Sequence, residues 1–285
     1  SEPINDTSQI TRAVPRSDNT EVEFGFSSIK GLSLKFWLCG LVFLLLANCF
    51  FQFTNIASDL VVNRYGYAYE DAKSLTILPS LTIIFATPFI SHWLQVNGHK
   101  AIALFAASVL YLLVYSILYF LPSQPSLMVN ICLMSIGLGH STLLSTIYTC
   151  VGLSVPRQGV GMAYSLMAFI ENFGLTLFPT ILSSLSQERT PLAYNQCVLA
   201  LGAISLLSAL VCGALVVQDF SSDRLLDYPE NSLEVAQIRV GIEKIFTESK
   251  RAERLQISSL RDKLIEMKEL PETMAHTPDD GYTLP

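Results

Sequence analysis

The chain has 285 residues, of which 51% are hydrophobic and 15% charged, with a net charge of −6. Soluble domains carry about 25% charged residues, so a water-soluble globule is excluded as the main body; there is no basic patch for nucleic acid. The mean hydropathy of +0.43 comes from long charge-free runs such as Ala101–Leu121 and Cys197–Val217.

In chain order, residues 1–32 are polar and irregular and read as a loop or terminal segment. The first residue is Ser1 and no signal-peptide pattern follows, which points to a fragment or processed chain. A six-helix membrane unit is expected over 33–218. Its spans are Phe36–Val62, Ser74–Leu94, Ala101–Leu121, Leu127–Leu153, Gly159–Leu185 and Cys197–Val217. Each reaches the roughly 20 apolar residues that cross a bilayer core as helix, and in lipid only such a helix satisfies its own backbone. Pro122, Pro125 and Pro156 fall in the connections, where helices end. Cys39, Cys49, Cys132, Cys150, Cys197 and Cys212 all lie in or beside the spans and form no CxxC. They read as small packing residues rather than disulfides or zinc ligands.

Six spans put both ends of the unit on one side. Arg12, Arg16, Lys30, Lys35, Lys100 and Arg157 fall on that side, and Arg64, Lys73 and Arg189 on the other. This excess places the termini in the cytosol. The Asn5-Asp6-Thr7 sequon then never meets the glycosylation machinery and reads as chance. Residues 219–285 form a polar cytosolic tail with a helix over about 231–270. Ile257, Leu260, Leu264 and Met267 give that helix a short apolar stripe. It is either a solvated helix or a docking helix. Pro271–Pro285 reads as disordered.

Polar groups inside the spans are costly and therefore informative. In the first span Asn48, Gln52, Asn55 and Asp59 share a stripe about 60° wide. The stripe lines a watery cavity or makes interhelical hydrogen bonds, and Asp59 is near enough to the interface to be wetted there. The fourth span carries a small-and-polar stripe, Gly137, Ser141, Ser145, Tyr148 and Gly152, with His140 one turn from its start. His140 is either a hydrogen-bonding group or a proton relay. In the fifth span Glu171 is followed by Asn172 and shares a face with Tyr164. An ionisable group at that depth is a candidate functional site; the alternative is a protonated carboxyl bonded to a neighbouring helix. The third and sixth spans carry no Asn, Gln, His or charge over Ala101–Leu121 or Val198–Val217 and read as lipid-facing scaffold. This uneven decoration points to two three-helix repeats, as in inverted-repeat transporters.

Several blocks resemble the C-terminal half of the major facilitator superfamily. Ser91–Lys100 occupies the place of that family's Gly-x-x-x-Asp-Arg-x-Gly-Arg-Lys type loop. Gly98, His99 and Lys100 match it, while Ser91, Gln95 and Val96 replace its Gly, Asp and Arg. Within the superfamily the chain is similar to the lysosomal dipeptide carriers. The likeness rests on Phe36-Trp37-Leu38, Arg64-Tyr65-Gly66-Tyr67, Ala86-Thr87-Pro88, Val155–Tyr164 and Glu171-Asn172-Phe173-Gly174-Leu175. The resemblance implies half of a twelve-helix fold, working by alternating access with an absent N-terminal six-helix half. It places Tyr148 and Glu171-Asn172 against substrate. Glu171 stands where those relatives carry Gln, which adds a titratable group.

The expected function is transport of small polar organic solutes such as dipeptides, in a lysosomal or vacuolar membrane. Asn48, Gln52, Asn55, Tyr148, Tyr164, Glu171 and Asn172 are the candidate substrate contacts. Glu171, Asp59 and His140 are the candidate proton carriers. Expected partners are the solute, the lipid bilayer, the missing half and an accessory membrane protein. The competing reading is a non-transporting scaffold or receptor acting through its tail. No catalytic triad, GxSxG, phosphate loop or metal spacing is present, so neither enzyme chemistry nor a cofactor is expected. Leu225-Leu226 follows Asp223 too closely for a standard acidic dileucine signal.

Overall fold

A computed structural model describes residues 32–186, 190–229 and 232–269. The sequon, Arg12, Arg16, Lys30, Arg189 and the segment 271–285 lie outside the described residues. The fold begins where the Ser33 hydroxyl accepts a hydrogen bond from the Phe36 N–H and starts helix α1, Leu34–Asn63. A short helix α2, Tyr69–Leu75, precedes α3, Leu78–Asn97. Next come α4, Lys100–Phe120, and α5, Leu127–Ser154, which is capped by Ser126. A 3₁₀ turn at Arg157–Gly159 leads into α6, Val160–Ser186. Helix α7, Pro191–Phe220, starts on a Thr190 cap with Pro at its first position. Helix α8 covers Leu233–Glu269. The described residues thus contain six helices of membrane-crossing length and apolarity.

Packing follows a two-fold scheme. Helices α1 and α5 meet at the centre. Helix α6 lies on α1 and α3 on α5; α7 lies on α1 and α4 on α5; α4 and α7 pack on each other. Exchanging α1 with α5, α3 with α6 and α4 with α7 leaves these contacts unchanged, as expected of two three-helix repeats; the further contacts of α6 with α5 and α7 have no counterpart of like extent at α3. Each middle helix also carries an internal proline, Pro88 in α3 and Pro179 in α6.

The small stripe of α5 is the seat of α3. A Cβ on Gly137 would stand 2.4 Å from the Pro79 carbonyl oxygen, and the Ser145 hydroxyl donates to the Thr87 carbonyl at 3.3 Å. Helix α1 is largely buried, whereas α3 is almost uncovered. Helices α4 and α7 form the back of the bundle. Each buries one row, including Tyr111 and Tyr115 or Ser205 and Cys212, and exposes an apolar one, including Leu113 and Phe120 or Leu206 and Leu210.

The two ends are closed differently. At the end carrying Ser33 and Phe220, here the root end, Lys35 Nζ donates to Asp219 Oδ1 at 2.9 Å, with both side chains buried. The same oxygen accepts from the Leu226 N–H at 3.3 Å. The chain after α7 then runs along the α3–α4 turn. The N–H of His99 donates to the Asp227 carbonyl (3.0 Å) and that of Lys100 to the Leu226 carbonyl (2.9 Å). Lys100 Nζ donates to the Tyr228 carbonyl at 3.2 Å, and the His99 ring bonds to the Asp227 carboxylate. Gly98, at φ 77°, permits this approach, because a Cβ there would stand 2.1 Å from the Asp227 oxygen. Leu225 and Leu226 are buried in the core.

At the opposite, far end, Arg64-Tyr65-Gly66-Tyr67 reaches across to α4 and α5. Arg64 Nη2 donates to the Tyr119 carbonyl (2.8 Å) and the Tyr65 hydroxyl to the Leu118 carbonyl (2.7 Å). Both are last-turn carbonyls of α4, which lack helical partners. The Tyr67 hydroxyl donates to the Ser126 carbonyl and accepts from the Ser126 N–H. Burial pushes the Tyr65 hydroxyl up to about 12 and the Arg64 guanidinium down from its ordinary value.

Candidate functional site

The face where α1, α5 and α6 meet carries most of the residues singled out from the sequence. On α1, Asn48 Nδ2 donates to the Leu44 carbonyl at 2.6 Å, and its Oδ1 accepts from Gln52 Nε2 at 3.5 Å. Gln52 Oε1 in turn accepts from Asn55 Nδ2 at 3.5 Å. The three amides form a ladder one turn apart, as their spacing requires. Asn48 and Gln52 are buried and Asn55 is exposed. Hydrogen bonding along the ladder offsets the cost of placing amides in an apolar helix. Asp59 is exposed near the far end of α1, where its backbone carbonyl accepts from Asn63.

Towards the root end the ladder gives way to an aromatic wall. Phe43 of α1 and Tyr148 of α5 meet edge to face at 5.7 Å, and Tyr148 meets Tyr164 of α6 in the same way at 5.7 Å. The Tyr164 hydroxyl donates to the Tyr148 carbonyl at 3.2 Å. Both tyrosines remain more than a third exposed, so each presents a ring and a polar edge to the open side. Glu171 is half-buried and lies two turns beyond Tyr164 along α6. No hydrogen bond or ion pair to its side chain occurs among the described residues. One turn further along α6, Gly174 rests on the ladder: a Cβ there would stand 2.1 Å from Asn48 Nδ2. That contact lets α6 lie on α1 and brings ladder and carboxylate into one region. Asn172 is exposed, and its Nδ2 donates to the Ala168 carbonyl of its own helix.

A family model described as Major Facilitator Superfamily matches residues 22–260. The chain belongs to the major facilitator superfamily. It is 23% identical over 185 residues to the lysosomal dipeptide transporter MFSD1 of Homo sapiens, covering 65% of this chain and 39% of that protein. The MFSD1 of Danio rerio is 20% identical over 163 residues, or 57% of this chain and 34% of that protein. The chain thus spans about four-tenths of the length of the curated relatives it matches.

Within this superfamily half the structure separates the candidates. It gathers Asn48, Gln52, Tyr148, Tyr164 and Glu171 around the contacts of α1 with α5 and α6. His140 also sits where α5 meets α1, but among rings: it stacks on Phe50 at 3.9 Å and meets Phe51 edge-on at 5.5 Å. It is buried, and Nδ1 has no partner among the described residues. Asp59 lies three turns beyond Asn48 along α1, near its far end. Two site residues were not visible in the sequence. Phe43 is one apolar letter in an apolar helix and gave no signal. Gly174 stood in the Glu171–Leu175 block, yet its role as the seat of Asn48 needs the helix–helix approach to be seen.

Proposed function

We propose that the chain is the C-terminal half of a solute carrier that moves small polar organic molecules, dipeptides among them, by alternating access. The aromatic wall of Phe43, Tyr148 and Tyr164, with Glu171 two turns beyond Tyr164 on α6 and without a polar partner among the described residues, carries this reading. Two exposed rings offer apolar contact to a solute, and a lone carboxylate offers a counter-charge to its amine or a carrier for a proton. Asn55 and Asn172 add exposed amides, while Asn48 and Gln52 hold the ladder that aims Asn55. Glu171 is the preferred proton carrier: Asp59 is exposed near a helix end, and His140 is buried against the Phe50 and Phe51 rings. The N-terminal half would close the cavity from the uncovered side of α3 and α6. Lys35, Lys100 and Arg157 at the root end support cytosolic termini. The likeness to lysosomal dipeptide transporters supports a lysosomal address. Nothing in this reading is enzymatic.

The test is uptake of labelled dipeptides, amino acids and sugars into vesicles holding the full-length parent protein, at acid and neutral pH. Glu171→Gln is expected to lower uptake and flatten its pH dependence. An unchanged rate and pH profile would remove Glu171 from the site, and no uptake of any solute would overturn the carrier reading. A second reading, a scaffold or receptor acting through α8, is favoured by the exposed Ile245, Leu255, Ile257 and Leu260. It predicts that deleting the segment after Lys244 abolishes function while Glu171→Gln does not.

A further inference from the structure

The carboxyl end of α5 cannot finish itself. Pro156 follows it, no backbone N–H closes its last turn at Val155, and a helix end leaves its final carbonyls without partners. The Ser154 hydroxyl turns back to the Cys150 carbonyl. Two other carbonyls are satisfied from remote parts of the chain. The Ser33 hydroxyl donates to the Ser154 carbonyl at 3.3 Å, and Arg239 Nη2 of α8 donates to the Gly152 carbonyl at 3.3 Å. A cation at a helix carboxyl end is also favoured by the helix dipole. The first turns of α8 are seated by Val235, which is buried, and by Ile238 and Ile242, which pack on the core. On their exposed side Glu243 Oε1 stands 3.6 Å from Arg157 Nε, in the turn between α5 and α6.

Gly152 is also where α6 meets the end of α5. A Cβ built on it would stand 2.8 Å from the Tyr164 hydroxyl, the group that bonds to the Tyr148 carbonyl one turn earlier. The tail, the last turn of α5 and the aromatic wall are therefore one connected set of contacts. We propose that the first turns of α8 are a strap in which Arg239 caps α5 and thereby holds Tyr164 against Tyr148, making Arg239 a positioning residue for the candidate site. The part of this inference that concerns transport rests on the carrier reading above; the part that concerns the strap does not.

Cys150, fully buried in the last turns of α5, is the built-in reporter. In the full-length protein in detergent, the rate of maleimide labelling at each cysteine is followed by mass spectrometry. Loss of a cap of about 1 kcal/mol raises the locally open population about fivefold. Arg239→Ala is therefore expected to speed labelling of Cys150 about fivefold while Cys49 and Cys132 stay protected, and Arg239→Lys is expected to restore protection. If Arg239→Ala exposes all the cysteines, the fold has failed and the surface variant decides. Glu243→Arg sets like charges beside Arg157, and its labelling increase at Cys150 should be reversed by the Arg157→Glu, Glu243→Arg exchange. Wild-type labelling of Cys150 in Arg239→Ala, or in Glu243→Arg where that variant decides, overturns the strap.

In vesicles, Arg239→Ala is expected to change the apparent KM for the transported solute about threefold, with Arg239→Lys at the wild-type value. Unchanged kinetics in Arg239→Ala alongside a loss in Glu171→Gln would overturn the positioning role and leave the carrier reading intact. Absence of uptake in every variant, wild type included, would overturn the carrier reading and with it the positioning role, and leave the Cys150 result standing.

Discussion

The two ends of this bundle solve the same problem with different materials. At the far end one short block, Arg64–Tyr67, reaches the open carbonyls of α4 and the start of α5. At the root end the closing contacts come from the whole length of the chain. Lys35 meets Asp219 across 184 residues, and Arg239 meets Gly152 across 87. A closure made by one block stays intact whatever happens to the tail. A closure made by distant pieces depends on every segment that contributes to it, so the root end is the one whose order the tail can alter.

Three substitutions break or sharpen this contrast. The largest effect is expected from Asp219→Ala, which leaves Lys35 buried without its partner and the Leu226 N–H without its acceptor. It should cost about 3–5 kcal/mol in thermal or denaturant unfolding, and most of the loss should return in Lys35→Met, Asp219→Leu, where neither charge is buried. If the single and double variants unfold alike, the ion pair does not hold the root end. At the far end, Tyr65→Phe removes one buried hydrogen bond while keeping the ring, and should cost about 1–2 kcal/mol. Its labelling pattern at Cys150 should stay that of the wild type; faster labelling there would mean the two ends are not independent. The smallest effect belongs to Glu243→Gln. An exposed pair at 3.6 Å contributes at most about 0.5 kcal/mol, so its unfolding curve should overlay that of the wild type.

The sequence made the spans and the polar ladder readable because each depends on one helix at a time. A charge-free run shows a membrane helix, and offsets of three and four residues show a shared face. The boundaries failed where polar letters are helical. Helix α7 starts at Pro191, six residues before the charge-free run, since Thr190 and Pro191 set the cap and Asn195 and Gln196 lie within the first turns. The short helix α2, within the polar connection, was not foreseen. What was not readable lies between helices. Nothing in Phe43 announces that it meets Tyr148. Leu225-Leu226, weighed as a sorting signal, is a pair of core side chains clamped between Asp219 and the α3–α4 turn. The apolar stripe singled out in the tail also missed the docked part: Ile257 and Leu260 are exposed, and the seated residues are Val235, Ile238, Arg239 and Ile242.

The Lys35–Asp219 pair also sets an order of events during biosynthesis. Lys35 emerges at the start of α1, but its partner is made 184 residues later. At a synthesis rate of about 5–20 residues per second, the lysine waits roughly 10–40 s for its carboxylate. During that interval it cannot settle into a dry site and must stay near water or headgroups. Of the described helices, the one that ends at the centre of the bundle is thus the first to be made and among the last to be locked in place.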